Sequence, residues 1–416
     1  MSQFPRMIKI RQTFPGPRID DVPGTVRQEL RRIALAEKVK LGWRVAIAVG
    51  SRGIASIPAV VATVVFELKA LGARPFIVSA MGSHGGSTAA GQREVLAGLG
   101  VTEQTIGAPL EITVDVEQVG RLESGMPVYM DRNAYHADAI IAVNRIKPHT
   151  VVGHRIGSGV MKVMAIGLGK QTGCSTIHRY AFGSPAGPYE VIEQVARLLI
   201  ARTPIVAGIG IVDNAYAQPA HIVAMNPAEI PVVEPELYRQ ARSLLASLPV
   251  DELDVLIVDR MGKNISPAGL DPFIIGDRLH GNREMLPHIT RVAVLDLTEE
   301  SHGNAVGVGA ADLISQRLFD KLDRKATYTN CIAGSALENG KIPVTLGTDR
   351  EVLEVAFTTI GAVEPQATRA IRITSTLEVD TIYVSERLVA EVAGNPRVQV
   401  IGQPEPLTFD AAGNLL

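Results

Sequence analysis

RVAIAVGSRGIASIPAVVATVVFELKALGARPFIVSAMGSHGGST, residues 44–88, is the stretch that decides the fold class of this 416-residue chain. Two short apolar runs, Arg44–Val49 and Pro75–Ala80, each end in a loop rich in glycine and serine. Between them, Ser56 can cap a helix whose apolar residues share one face: Val60, Val61, Val64, Val65 and Leu68. A strand, a loop and a helix in this order predict parallel strands joined by crossover helices.

The same alternation continues on both sides of this stretch. A helical pattern covers residues 26–39, and DAIIAV at 138–143 predicts a third buried strand. A helical pattern at 188–202 and an apolar run at 205–212 follow. We therefore expect an α/β protein whose N-terminal part has a mostly parallel sheet with crossover helices.

The length of the chain predicts two domains, because 416 residues exceed one ordinary core. We place an N-terminal cofactor-binding and catalytic domain at 1–249. A smaller α/β domain at 250–416 opens with an apolar strand at 254–258, and its last residues could pack back on the N-terminal domain. Further helices are predicted near and after this boundary, at 235–248, 310–323 and 350–360. The active site is expected in the cleft between the domains.

The composition excludes several classes of partner. The formal net charge is -2, and no block of lysine and arginine is long enough to follow a phosphate backbone, so no nucleic acid is expected. No run of about 18 apolar residues indicates a membrane span. The charged, proline-bearing start is unlike a secretory signal, and two cysteines, Cys174 and Cys331, make no disulfide framework. We expect a cytoplasmic enzyme.

Polar residues follow the predicted strands at the points where they end. They are Ser51 with Arg52, Ser83 with His84, Asn144 to His149, and Asp213 with Asn214. Ligands of open α/β sheets bind outside the carboxyl ends of the strands. These residues therefore predict one shared site.

The longest of these segments is NRIKPHTVVGHRIGSGVMKVMAIGLGKQTGCSTIHRY, residues 144–180. It combines glycines and cationic side chains with three histidines: His149, His154 and His178. Glycine lets the backbone approach a ligand, and histidine serves proton transfer or metal binding. We predict that this segment holds a cofactor that carries a metal or a phosphate.

Each candidate residue also has a structural interpretation. The loop 82–88 either binds an anion or forms a plain strand-to-helix turn. His84 within it is explained neither by packing in a core nor by capping of a helix, so we interpret it as a catalytic or binding residue. His149 is either catalytic or an exposed loop residue. Lys162 lies in an apolar run, so its amine is either partly buried and nucleophilic or extended to solvent. His178 is a single candidate metal ligand.

At this point the residues resemble a known family, the nickel-dependent lactate racemases with their 2-hydroxyacid racemase and epimerase relatives. The resemblance rests on four motifs in order: Gly-Ser-His-Gly at 82–85, Pro148-His149, Ser-Gly-Val-Met-Lys at 158–162, and His178. It is clearer before residue 250 than after it.

The resemblance implies a nickel pincer nucleotide, a nicotinic acid mononucleotide derivative whose carbon and sulfur atoms hold nickel. Lys162 would tether it and His178 would complete the nickel coordination. His84 and His149 would be the acid/base pair on opposite faces of a 2-hydroxyacid, which passes through a 2-keto acid by transient hydride transfer. The residues that would line the cofactor or bind the substrate are Ser83, Gly85, Gly86 and Ser158 for the cofactor, and Arg52, Lys263 and Asn264 for the substrate.

Two departures from the family pattern bear on these expectations. About three more residues separate His149 from Lys162 than in the family pattern, so Lys170 and Lys147 are rival tethers. The loop around Lys263 also departs from the lactate-specific pattern, and a simple turn is its structural interpretation. The expected substrate is therefore a longer hydroxyacid or a sugar acid rather than lactate.

Two alternatives to a racemase or epimerase stay open from the residues. A zinc-dependent hydrolase could use His84, His149 and His178 as ligands. A non-catalytic protein that binds small carboxylates or nucleotides could keep the cleft without the chemistry. Cofactor-biosynthesis proteins are possible partners of the racemase, and the sequence does not determine the oligomeric state.

Overall fold

The computed structural model describes residues 4–14, 16–51, 56–148, 155–181, 187–279, 281, 285–333 and 336–416. These residues divide into two compact units. The first unit comprises those between 16 and 245, and the second comprises residues 4–14 together with Ala246–Leu416. Across these ranges, no helix is both long and apolar enough to cross a membrane.

The strands and helices are numbered in chain order. The strands of the described ranges are β1 Met7–Gln12, β2 Arg44–Val49, β3 Arg74–Ser79, β4 Val116–Arg121, β5 Pro127–Asp131, β6 Ala139–Arg145, β7 Ile205–Asp213, β8 Pro219–Met225, β9 Glu252–Val258, β10 His288–Val294, β11 Leu313–Ser315, β12 Val344–Leu346, β13 Ala370–Ile373, β14 Thr381–Ser385 and β15 Val398–Val400. The α-helices are α1 Val22–Arg32, α2 Leu35–Lys38, α3 Ile57–Ala70, α4 Ala89–Gly98, α5 Glu103–Ile106, α6 Arg132–Tyr135, α7 Val160–Lys162, α8 Lys170–Ala181, α9 Gly187–Arg202, α10 Ile230–Ser243, α11 Pro272–Ile275, α12 Gln316–Lys321, α13 Arg324–Ala333, α14 Asp349–Thr358 and α15 Glu386–Val392.

The main sheet of the first unit has the order β3-β2-β6-β7-β8 among the described strands. Its first four strands are parallel, and β8 runs antiparallel to β7. Side chains of β2 alternate between two cores: Val45 and Ile47 pack with α1 and α3, whereas Ala46 and Ala48 pack with α9 and α10. Burial on both faces explains why these strands are continuous apolar runs. The predicted α/β class with a mostly parallel sheet is confirmed.

The strand order places a topological switch point in this unit. The chain passes from β2 to β3 on one side and later reaches β6 on the other side of β2. The carboxyl ends of β2 and β6 therefore meet where the crossovers diverge, the usual ligand position in such sheets. Asn144, near the end of β6, is buried there, and its Nδ2 donates to the carbonyl of Gly159 over 2.9 Å.

The second unit contains a mixed sheet with the described order β12-β11-β10-β9-β13-β14-β1-β15. The strands from β12 to β13 are parallel, and β14, β1 and β15 complete the sheet by antiparallel pairing. The sequence placed residues 7–12 in the domain 1–249, but β1 pairs with β14 and β15 in this sheet. An isolated six-residue strand carries no sign of its partner, because its pattern fixes only its buried face.

The chain terminus also packs within the second unit. Met7 pairs with Glu405, and Nη1 of Arg372 donates to the carbonyl oxygen of Leu416 over 2.7 Å. The sequence left open that the last residues pack back on the N-terminal domain, and the contacts named here lie within the second unit.

Three predicted helices have different bounds in the structure. The helix expected at 26–39 is divided into α1 and α2, because Ala34 has a φ of 52°. The helix expected to start at Pro235 begins at Ile230, with Pro231 in its first turn. The segment expected to be helical at 310–323 contains strand β11 before α12, and the Oγ of Ser315 accepts from the N–H of Leu318 over 3.2 Å at the helix start.

Candidate active site

The loop after β3 carries Ser83 and His84 at the carboxyl edge of the sheet. Gly82 has a φ of 58°, and a Cβ there would lie 3.2 Å from the side chain of Ile166, so the loop approaches residue 166 closely. The cap of α4 is supplied by Thr88, whose Oγ1 accepts from the N–H of Gly91 over 3.0 Å. The turn interpretation thus accounts for Thr88, and it leaves the exposed Ser83 and His84 without a role in the cap.

Lys162 lies at the end of the short helix α7, and a π-helical turn at Val163–Gly167 follows it directly. Such turns are frequent at functional sites. The carbonyl of Gly167 accepts from the N–H of Gly82 over 3.1 Å, and a Cβ at residue 167 would lie 2.4 Å from the carbonyl oxygen of Ala80. The π-helical turn thereby joins the lysine-bearing segment to the His84 loop.

The amine of Lys162 is half-buried, with Nζ 5.9 Å from the centre of the Tyr189 ring. Of the two interpretations of this side chain, partial burial agrees with the structure. An ammonium group over an aromatic face gains electrostatic attraction, and the ring shields one side of the amine from solvent.

A buried glutamate holds the start of the lysine-bearing helix. Glu234 on α10 is 0% exposed, and its Oε2 accepts from the N–H of Met161 over 2.9 Å. Burial raises the pKa of this carboxyl group to about 8, against the lowering effect of hydrogen bonds from Met161 and Val160. A Cβ at position 159 would lie 2.0 Å from Oε1 of Glu234, so Gly159 makes the insertion possible. No local sequence pattern indicates this contact, because 73 residues separate the two groups.

Helix α8 presents Cys174 and His178 one turn apart, which places them on the same helix face. Burial raises the pKa of the Cys174 thiol, although a hydrogen bond to Ser83 and the charge of Lys162 lower it. Desolvation and the positive charge of Lys162 both lower the pKa of His178, so its imidazole is neutral at neutral pH. Lys162 therefore lies within electrostatic reach of both side chains.

These contacts bring together three residues that the sequence predicted, Ser83, Lys162 and His178. They also add Cys174, which was noted from the sequence only as one of two cysteines. Its spacing of four residues from His178 is the signal that could have identified it, because helix α8 places residues at this spacing on one face.

The rival tethers have other surroundings. Lys170 is 0% exposed and its Nζ lies 2.9 Å from Oδ2 of Asp131, which is also fully buried. Lys147 pairs through its backbone with Ser158, at 2.8 and 3.0 Å. Burial raises the pKa of Asp213, and the charges of Arg145 and Lys147 oppose that shift. Lys170 is thus enclosed by protein, and Lys147 lies beside the carboxylate at the end of β7.

Other predicted site residues are placed as follows. Ser158 is half-buried and forms the bridge to Lys147, while Gly85 and Gly86 form a short 3-10 turn after His84, each with a φ of 62°. A Cβ at Gly86 would have no atom within 4 Å, so this side of the loop is open. Arg52 and His149 lie outside the described residues, as does His154.

Lys263 and Asn264 lie in the second unit, in the loop that follows β9. Nζ of Lys263 donates to the carbonyl of Pro267 over 2.7 Å, and Oδ1 of Asn264 accepts from Oγ1 of Thr298 over 2.7 Å. The turn interpretation accounts for these bonds. Substrate binding by these two residues remains a prediction.

In the part of the chain that the structure describes, no group of three or more His, Cys, Asp or Glu side chains could hold a metal ion. A neutral imidazole at His178 is nevertheless a suitable single ligand, and the charge of Lys162 lies within electrostatic reach of it.

Comparison with known proteins agrees with this fold. The fold and the candidate site together define the class of protein: an α/β protein with polar and ionisable residues at the carboxyl edge of a parallel sheet. Residues 20–187, which include His84, Lys162 and His178, match the family model of the lactate racemase N-terminal domain. The resemblance that the sequence motifs predicted is thereby confirmed for residues 20–187.

Similarity to a solved structure extends over most of the chain. The chain is similar to the lactate racemase apoprotein from Thermoanaerobacterium thermosaccharolyticum, with a TM-score of 0.54 and 12% identity. The match covers 90% of this chain and 99% of that one, and it shows a shared fold. No curated protein matched the sequence.

Proposed function

We propose that this protein is an isomerase that inverts the C2 configuration of a 2-hydroxyacid, with a nickel pincer nucleotide tethered to Lys162. The observation that carries the proposal is that the charge of Lys162 acts on both His178 and Cys174, and that Cys174 is hydrogen-bonded to Ser83, the residue before His84. The match of residues 20–187 to the lactate racemase N-terminal domain supports it.

The residues of the first unit fit such a cofactor. Lys162 would hold it covalently, and the neutral imidazole of His178 would supply a nitrogen ligand to nickel. Ser83, the 3-10 turn at Gly85–Ser87 and Ser158 would line it. When bound, the cofactor would accept the α-hydrogen of the substrate as hydride and return it to either face.

The protein side chains would handle the proton and the substrate carboxylate. His84 would remove the hydroxyl proton of one enantiomer, and His149 would do so for the other, because the two hydroxyl groups point to opposite sides. Arg52, Lys263 and Asn264 would bind the substrate. For Arg52 and His149, which lie outside the described residues, the sequence motifs are the support.

The substrate proposed is a longer hydroxyacid or a sugar acid. Its support is the loop around Lys263, which departs from the lactate-specific pattern of the family. We propose a cytoplasmic enzyme, consistent with two free cysteines, Cys174 and Cys331. Proteins that make the cofactor are its proposed partners.

The test is intact mass with metal analysis on protein purified from a host that makes the cofactor. Wild type is expected to carry nickel and a nucleotide-sized addition, and Lys162→Ala is expected to lose both. Lys147→Ala is the matched control, because it removes a rival lysine. An unmodified wild-type chain from that host would contradict the proposal, and zinc in its place would favour the hydrolase.

The reaction is tested on the loaded enzyme with single enantiomers of lactate, longer hydroxyacids and aldonates. Appearance of the opposite C2 configuration, lost in His84→Ala, is the expected result. A loaded enzyme that interconverts none of these acids would contradict the proposed reaction.

A further inference from the structure

A buried polar network lies beneath the loop that carries His84. Its four members come from four elements and are nearly inaccessible: Ser79 at 0%, Gln92 at 1%, Asp131 at 0% and Lys170 at 0% exposure. Buried polar groups of this kind are costly unless every one is paired. The partners of each group therefore indicate what the network holds in place.

Lys170 is the centre of the network. Its Nζ lies 2.9 Å from Oδ2 of Asp131 and 2.8 Å from Oγ of Ser79, and it also donates to the backbone carbonyl of Ser79. The backbone of Lys170 has a φ of 55°, an uncommon conformation for a residue with a side chain. Such strain persists where the surroundings determine the conformation, and it clusters at functional sites.

The network fixes the orientation of the Gln92 side chain. Its Oε1 accepts from Oγ of Ser79 over 2.6 Å and lies 3.4 Å from Nζ of Lys170. An ammonium group has no acceptor, so the oxygen of the amide must face Lys170 and the nitrogen must face away. The two N–H groups of Gln92 are thereby directed at the loop.

Both of these N–H groups donate to backbone carbonyls in the loop that carries His84. Nε2 of Gln92 donates to the carbonyl of Gly82 over 3.0 Å and to the carbonyl of His84 over 3.3 Å. Thr88 already caps α4, and the backbone N–H of Gln92 bonds to the carbonyl of Thr88 over 3.0 Å. The side chain of Gln92 is therefore not needed to start the helix, and its bonds serve the loop.

We propose that Gln92 is a positioning residue for His84, and that Asp131, Lys170 and Ser79 orient it. Fixing the carbonyls of Gly82 and His84 holds the backbone of the histidine, and through it the direction of an exposed imidazole. The catalytic meaning of this contact rests on the proposed function, in which His84 moves the hydroxyl proton. The contact itself does not.

The test compares Gln92→Met, which keeps the length of the side chain but removes both donors, with Val60→Ala. The control truncates a fully buried residue in the opposite core of the same sheet. Hydrogen exchange of the amides in residues 81–88 is measured on protein without cofactor, at denaturant concentrations that equalise global stability. Gln92→Met is expected to exchange at least about tenfold faster than wild type there, the equivalent of one lost hydrogen bond. The control is expected to match wild type.

A second variant covers the case in which Gln92→Met does not fold. Ser79→Ala removes the hydroxyl that bonds to Oε1 of Gln92 and leaves the amide in place, so a smaller increase in the same exchange rates is expected. In the loaded enzyme, either folded variant is expected to lower kcat more than it raises KM, because the histidine acts in the chemical step. Wild-type exchange rates in both variants would overturn the inference.

The two proposals fail in different ways. Faster loop exchange together with a wild-type enzyme that has no isomerase activity supports the role of Gln92 and contradicts the proposed function. Unchanged loop exchange in an active isomerase overturns the role of Gln92 alone.

Discussion

The carboxyl group of Glu234 accepts a hydrogen bond from the backbone N–H of Met161 at 2.9 Å, one residue before Lys162. The carboxyl group is fully buried, so the start of α7 depends on a side chain that arrives from α10. The position of the proposed tether is therefore coupled to a carboxyl group that belongs to a different helix.

Replacing Glu234 is expected to destabilise the first unit. Glu234→Ala leaves the N–H of Met161 buried without an acceptor, at a cost of about 1–3 kcal/mol in the free energy of unfolding. Glu234→Gln keeps an acceptor oxygen and is expected to cost less. Urea unfolding of both variants, with the exposed Glu123→Gln as control, measures the difference. Equal stability of Glu234→Ala and wild type would show that the contact contributes nothing.

The same carboxyl group predicts a pH dependence of stability. The pKa of Glu234 is about 8 in the folded protein and near its ordinary value of 4.5 when unfolded. Between these values the folded state holds the proton and the unfolded state does not, so stability falls as pH rises from about 4.5 to 8, by at most about 1.4 kcal/mol per pH unit. The free energy of unfolding of wild type and of Glu234→Gln is measured across this pH range, and the difference between the two isolates the slope that Glu234 causes. A difference that does not change with pH over this range contradicts the prediction.

Gly159 and Glu234 are expected to be energetically coupled. A Cβ at residue 159 would lie 2.0 Å from Oε1 of Glu234, although the φ of −167° at Gly159 is open to any residue. Gly159→Ala is therefore expected to lower the free energy of unfolding in the wild-type background, and to lower it much less in the Glu234→Ala background. A double-mutant cycle should give a coupling of about 0.5–3 kcal/mol. Gly98→Ala, where a Cβ meets no atom within 4 Å, is the control. Additive effects would mean that Glu234 is not the cause.

The charge of Lys162 is expected to control the titration of its neighbours. Lys162→Met should raise the pKa of His178 and of Cys174, because the positive charge lowers both in wild type. The imidazole is followed by NMR titration and the thiol by the pH dependence of alkylation at Cys174. Lys325→Met, in an exposed position on α13, should leave both unchanged. If the pKa of His178 in Lys162→Met equals that in wild type, the charge of Lys162 does not act on His178.

The buried pair of Lys170 and Asp131 is expected to matter for stability. Burial lowers the pKa of the lysine and raises that of the aspartate, while their contact at 2.9 Å opposes both shifts. Lys170→Met leaves Asp131 buried and unpaired, at a cost of about 3–5 kcal/mol. Adding Asp131→Leu should recover part of that loss. If the double variant is as unstable as the sum of the two single variants, the pair is not coupled.

The sequence predicted the four parallel strands of the first sheet because each is a continuous apolar run, a signal that depends only on local burial, whereas β8 was not predicted. Lys162 and His178 were predicted from motifs that resemble those of a known family. The loop of His84 followed from the rule that parallel strands present polar residues at their carboxyl ends.

Contacts between residues that are far apart in sequence could not be predicted from local patterns. Glu234 and Gln92 both act by burial against distant backbone, and neither belongs to a motif. Lys170 illustrates the reverse error: a lysine near the site was a rival tether in the sequence, whereas Asp131 and Ser79 enclose it. Its partner in the ion pair lies 39 positions earlier, and no local pattern joins the two.

The placement of β1 has a consequence for synthesis on the ribosome. Met7 is translated long before Ser385, its partner in the sheet. At about 5–20 residues per second, the strand waits on the order of 20 to 75 s for its neighbours. Throughout that time it presents an unsatisfied edge, and its exposed Lys9 and Arg11 are the kind of charge that discourages premature association with other nascent chains. Completion of the second sheet is thus expected to wait until β14 has been translated and has left the exit tunnel.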